Sequence, residues 1–146
     1  MNDKLKILVV AANEGGCAYY RALLPFRKLQ QHCSDEVEVK FNSNPINWDT
    51  SSNSTSGEYP DLEWCDIMMT QNISNFGPTF MIELFKASRE AGKFIHYDTD
   101  DLLTELYPGH RLYQVYKDRD LSELTKSLYH NADLVTVTQK KFANRI

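Results

Sequence analysis

The stretch "FIHYDTDDLL" (94–103) is an apolar run that breaks into three acids, Asp98, Asp100 and Asp101. Ionised and close together, the three would repel one another. Three sharp chemistries use acids in this pattern. An Asp-x-Asp after a strand can hold Mg²⁺ or Mn²⁺ on a nucleotide diphosphate, because hard cations take oxygen ligands. The first acid of such a box can serve as the nucleophile of phosphoryl transfer. The group can also form the polar wall of a binding cleft. A plain structural reading competes with all three: Asp98 caps a helix beginning near Asp100, and the others are first-turn acids favoured by the helix dipole.

The second unusual stretch is "NEGGCAYYR" (13–21). It lacks the third glycine of Gly-x-Gly-x-x-Gly and the Gly-Lys-Ser/Thr of a P-loop, so it is no specific nucleotide fingerprint. Gly15 and Gly16 still permit a tight turn and close backbone approach at a helix N-terminus, which is a ready anion site. Arg21, one turn further in, could meet an anion or pair with a carboxylate. Tyr19 and Tyr20 read as packing residues. His96 lies inside an apolar strand and reads as a core histidine satisfied by a hydrogen bond, with catalysis as the alternative.

Composition sets the bounds. At 146 residues the chain fits one domain with one real core. A net charge of −4 gives no electrostatic reason to expect nucleic-acid binding. No apolar stretch approaches the ~20 residues of a membrane span, and "MNDKLKILVV" lacks a signal peptide's cleavage region. Cys17, Cys33 and Cys65 show no Cys-x-x-Cys spacing and read as reduced thiols in a cytoplasmic protein, with no metal site. Asn53-Ser54-Thr55 and Asn72-Ile73-Ser74 match the glycosylation triplet, and without a secretory signal they read as chance.

These residues sit on alternating strands and helices. "LKILVVAA" (5–12) reads as a buried strand, and "CAYYRALLPFRKLQQH" (17–32) as a helix with Tyr20, Leu23, Leu24 and Leu29 on its apolar face and Pro25 kinking or splitting it. "EVEVKF" (36–41) alternates like a strand near an edge. Residues 42–60 are rich in Asn, Ser and Thr and read as a long surface loop. Strand 66–71, helix 77–92, strand 93–97, helix 120–132, strand 133–138 and a helix from 139 follow. Pro78 and Gly92 bound the second helix, and Asp120-Leu-Ser-Glu123 resembles a cap at the start of the third.

Buried strands alternating with helices, and no hairpin signals, imply α/β architecture: a doubly wound, Rossmann-like parallel sheet of about five strands. The order adopted is 3-2-1-4-5, with 2-1-3-4-5 as the alternative. In the first order, strands 1 and 4 are neighbours and ligands bind where the sheet reverses between them. Gly15-Gly16 and Asp98–Asp101 would then be opposite lips of one crevice, with Arg21 on the rim. In the second order strand 3 intervenes, "QNISNFG" (71–77) becomes the near lip, and both the cleft assignment and the case for these residues as a functional site fall.

"KILVVAANEGGCAYYRALLPFRKL", "FIHYDTDDLL" and "NADLVTVTQKKFANRI" together resemble the N-terminal domain of two-domain GT-B glycosyltransferases of the phage and bacterial "glycosyl transferases group 1" kind. The likeness spans nearly the whole chain, with the three motifs in order. It implies hexosyl transfer from a nucleotide-sugar donor, as co-substrate, to a hydroxyl-bearing acceptor, with no metal or other cofactor. Gly15, Gly16 and Arg21 would face the donor phosphates, and Asp98, Asp100 and Asp101 would line the acceptor side. Many relatives carry a His-Asp pair just after the equivalent of strand 4. Here Asp100-Asp101 holds that register and His96 lies earlier, so Asp98, Asp100, Asp101 and His96 stand as catalytic candidates with no role assigned. The family continues into a second, C-terminal domain that holds most of the donor, so residues 1–146 alone are expected to be inactive. The single-domain (GT-A) glycosyltransferases are the metal-dependent alternative. The haloacid-dehalogenase box is another, although its acid follows the first strand and its later motifs have no counterpart here. A flavodoxin- or receiver-like regulatory domain is the runner-up from a different class, and a non-catalytic fragment that assembles with a partner is a further one. A receiver's acids would be split between strands 1 and 3, which end here in Ala-Ala-Asn and Thr-Gln.

Overall fold

A computed structural model describes residues 3–48, 57–73 and 76–146. Along the chain, β1 (Leu5–Val10) leads into one continuous helical run made of α1 (Gly16–Ala18), a π turn (Tyr19–Leu23) and α2 (Leu24–His32). Then come β2 (Val37–Phe41), the two-residue strands β3 (Asn47–Trp48) and β4 (Gly57–Glu58), and α3 (Pro60–Trp64). β5 (Ile67–Gln71), α4 (Pro78–Glu90), β6 (Phe94–Thr99) and a 3₁₀ turn (Leu103–Glu105) follow. The chain closes with α5 (Tyr113–Asp118), α6 (Leu121–Asn131), β7 (Leu134–Val137) and α7 (Lys140–Ala143).

The principal sheet has five strands, all parallel, in the order β2-β1-β5-β6-β7. The doubly wound α/β architecture is as expected from the alternation. The strand order is not: counted along the chain it is 2-1-3-4-5, so the third principal strand, β5, separates the first from the fourth. Handedness explains why. The run 16–32 packs Ala18, Ala22 and Leu23 against Ile7, Val9 and Met69 on one face. The helix α3 packs Leu62 against the opposite face, with Leu8 and Met68. A right-handed crossover that changes face must also reverse direction, so the chain leaving β2 crosses back over β1 and lands beyond it. α4 and α6 stay on the α3 face, where Phe80, Leu84 and Leu128 pack with Ile95 and Tyr97.

Most element boundaries fall within one or two residues of the expected ones. Gly92 ends α4 in the left-handed conformation (φ +67°), and the Lys93 N–H donates to the Ser88 carbonyl at 2.9 Å. The cap expected at 120 differs: Asp120 precedes α6 with φ +49° and makes no side-chain cap bond. Residues 42–60 contain the short antiparallel pair β3–β4, where a plain loop was expected. The remainder of that loop (49–56), including Asn53-Ser54-Thr55, lies outside the described residues, as does Ser74 of the second triplet. Pro25 does not split the helical run. It enters α2 at its first turn, and the preceding turn widens so that the Leu24 N–H reaches the Tyr19 carbonyl five residues back. That widening also turns Tyr20 out to 68% exposure, off the apolar face where even helical spacing puts it. Among the described residues no helix is long and apolar enough to cross a membrane.

Candidate functional site

In a 2-1-3-4-5 sheet the direction reverses between β1 and β5, and ligands bind outside the carboxyl ends there. A crevice of about 640 Å³ occupies that place. One wall is the Asn13–Ala18 turn, the floor is Gln71–Ile73 after β5, and the far wall is Asp100, Asp101 and Leu103, with Arg111 and Tyr116 closing the side. The cleft expected between strands 1 and 4, and the case for the site residues that rested on it, fall with the strand order; both loops nevertheless line one crevice, at β1 and β5. One intervening strand adds only about 4.8 Å, and the end of β5 supplies the floor. Two other grooves, between α4 and α6 and between α3 and α4, lie away from the strand ends.

The glycine wall is built as its sequence suggests. Gly16 adopts φ +49°, a conformation that costs an L-residue roughly 1–2 kcal/mol. The Gly15 N–H donates to Asn13 Oδ1 at 3.0 Å, which closes the turn. Asp100 sits opposite. Burial alone would raise its carboxyl, but hydrogen bonds with Cys17 and Asn72 outweigh burial and hold it below the usual range. In return, hydrogen bonding to Asp100 and its charge push the Cys17 thiol up. The helix N-terminus therefore already faces a carboxylate of this chain.

Arg21 and Asp98 lie behind the crevice rather than on its rim. Asp98 is the fifth residue of β6 and 4% exposed, so it caps no helix; the next helical turn starts only at Leu103. The Arg21 guanidinium grips it with two bonds, Nε to Oδ2 at 2.8 Å and Nη2 to Oδ1 at 2.6 Å. Thr136, the register partner of Asp98 on β7, donates its hydroxyl to Oδ1 at 2.6 Å. His96 Nε2 lies 2.9 Å from the same hydroxyl oxygen. That hydroxyl has one proton, already given to Asp98, so His96 must donate and carries its hydrogen on Nε2. Burial lowers the His96 pKa and keeps the ring neutral, against the pull of Asp98. His96 is thus the hydrogen-bonded core histidine that its strand position suggested. Arg21, one of the expected donor-phosphate residues, has its fork committed to Asp98.

The structure adds residues that the motifs did not flag. Gln71, the register partner of Asp98 on β5, is 1% exposed and its Nε2 has no hydrogen-bond partner. Asn72 follows in the left-handed region (φ +49°), which asparagine tolerates. Its Nδ2 donates to Asp100 Oδ1 at 2.7 Å, while its Oδ1 is enclosed and unpaired. An unmet buried polar atom costs about 1–3 kcal/mol, so two of them on the floor of one crevice are informative. The available signal was a polar residue ending the apolar run "DIMMTQ" at a carboxyl end. Among the described residues no group of three or more His, Cys, Asp or Glu side chains is arranged to hold a metal ion.

The crystal structure of a conserved protein from Enterococcus faecalis V583 is similar to this one, with a TM-score of 0.50 at 10% sequence identity, covering 99% of this chain and 100% of that one. The likeness is one of fold. No family model matches the chain, and no curated protein matches it. Function must therefore be argued from the crevice.

Proposed function

We propose that this chain is the N-terminal, acceptor-side domain of a GT-B-type hexosyltransferase, and that its crevice receives a hydroxyl-bearing acceptor. The observation that carries this reading is the lining at the switch point. Asp100, Asp101, Gln71 and Asn72 offer carboxylates and amides, the groups that hold hydroxyls, beside the ring of Tyr116. The three motifs, in family order, supply the reaction class. The same geometry favours binding over chemistry on this half. Asp98 is engaged in three hydrogen bonds. Asp100, with its depressed pKa, is a poor general base. His96 is tied to Thr136.

Donor contacts and transfer then fall to a second domain, so the 146-residue chain should bind an acceptor without turning over a nucleotide-sugar donor. Incubation with a panel of nucleotide-sugars and acceptors, followed by assay of released nucleotide, tests this. Turnover by this chain at roughly 1 per second or faster would overturn the half-enzyme reading.

The strand order favours a second reading, a flavodoxin- or receiver-like domain, because 2-1-3-4-5 is the order of those folds. Against the receiver version, β1 runs into Ala11, Ala12 and Asn13 and β5 ends in Thr70 and Gln71, so neither strand end carries the acids of a phosphoacceptor site. Titration with flavin mononucleotide separates the readings: quenched flavin fluorescence would favour the second.

A further inference from the structure

Resting on the acceptor-crevice reading, we propose that Gln71 and Asn72 seat hydroxyls of an uncharged sugar and that this floor selects neutral polyols over phosphate-led ligands. Gln71 is 99% buried on the crevice floor with Nε2 unpaired, and Asn72 Oδ1 beside it is unpaired as well. The orientation of Asn72 is forced. Its neighbour Asp100 can only accept while ionised, so the amide nitrogen must face Asp100 and the free atom is the carbonyl oxygen.

The floor therefore offers one donor and one acceptor. A hydroxyl both accepts and donates, so it can answer either atom. An ionised phosphate oxygen accepts only, and an ammonium donates only. Charge works in the same direction. Asp100 and Asp101 in the far wall stand against one guanidinium, Arg111, while Arg21 is committed to Asp98. An anion entering here meets net negative charge in a partly enclosed space, where such repulsion is less screened than in bulk water. Gln71 is accordingly a specificity-determining residue, and Asp100 positions Asn72.

The test is calorimetry and ligand-observed NMR on the whole chain with free hexoses and methyl glycosides, using inorganic phosphate and uridine diphosphate as anionic probes. Gln71→Met keeps length and volume but removes the donor. It should weaken sugar binding roughly tenfold or more while leaving the urea midpoint unchanged or higher, because an unmet donor has been removed. Unchanged sugar affinity in Gln71→Met would mean that a buried water satisfies the floor, and the proposal fails. It also fails if no sugar of the panel binds, or if the diphosphate binds and loses affinity in Gln71→Met. Sugar binding that depends on Gln71, together with quenching of flavin mononucleotide, would keep this subsite and sink the glycosyltransferase reading instead.

Discussion

Removing Arg21 should damage the fold more than removing the acid it holds. The Asp98 side chain is 5% exposed and accepts three hydrogen bonds, two from Arg21 and one from Thr136. Arg21→Met removes two of the three and leaves a buried carboxylate with one hydroxyl. Breaking a buried pair in this way costs about 3–5 kcal/mol. Asp98→Leu strands the guanidinium instead, but Arg21 is 24% exposed and can turn toward water, so the cost should lie at or below the lower end, about 3 kcal/mol. The double variant strands neither charge and should return to within about 1–2 kcal/mol of the parent, a coupling of roughly 5 kcal/mol. In urea, with a slope of about 2 kcal/mol/M for a domain of this size, the midpoint for Arg21→Met should fall by about 2 M. Far-UV circular dichroism across the four proteins of the cycle measures this. Strictly additive single and double variants, or a midpoint for Arg21→Met within about 0.3 M of the parent, would refute the account of a buried, mutually dependent pair.

His96 is held neutral by burial, so its folded pKa lies below the usual value of about 6.5. As pH falls the unfolded chain takes up that proton first; the stability tied to neutral His96 is full above about 6.5 and is lost as pH drops toward the lower folded value. His96→Gln should flatten the urea midpoint between about pH 7 and pH 5, and an unaltered slope would count against the assignment. Asp100 holds the Cys17 thiol in its protonated form, so in a Cys33→Ser background Asp100→Asn should speed alkylation of Cys17 by iodoacetamide at mildly alkaline pH; equal rates would remove Asp100 as the cause. Titration with Mg²⁺ or Mn²⁺ alone should give little heat, since Asp98 is bound on both oxygens and Asp100 is engaged with Asn72. Micromolar binding lost in Asp98→Asn or Asp100→Asn would revive the metal-dependent reading.

The alternation of elements was legible in the sequence because its signals are local. β1, β5 and β6 are runs of apolar residues, and α4 is bounded by Pro78 and Gly92. The strand order was not legible. It depends on which face α3 packs against, and a five-residue helix carries too short a pattern to declare its face. α5 was missed for the same reason. The Gly15-Gly16 wall and the Asp100-Asp101 wall stood out by residue type. The engagement of Arg21 with Asp98 did not, since the two are 77 residues apart and meet only through the sheet. Thr136 within "DLVTVT" reads as an ordinary β-branched strand residue, and nothing local distinguishes it from Thr138.

The π turn at Tyr19–Leu23 bears on how this sequence can change length. A widened turn holds one residue more than the helix needs to continue. The Asn13–Ala18 wall upstream is anchored to β1, and α2 downstream is anchored by its packing on the sheet, so neither can rotate to absorb a gap. Loss of the Tyr20 codon would tighten the turn to α and swing the neighbouring side chains by about 100°. The Arg21 fork would leave Asp98, although every residue type needed for the pair would still be encoded. Tyr20, turned outward, can be exchanged with little effect on packing. At Tyr20, therefore, the site should tolerate substitution far better than deletion.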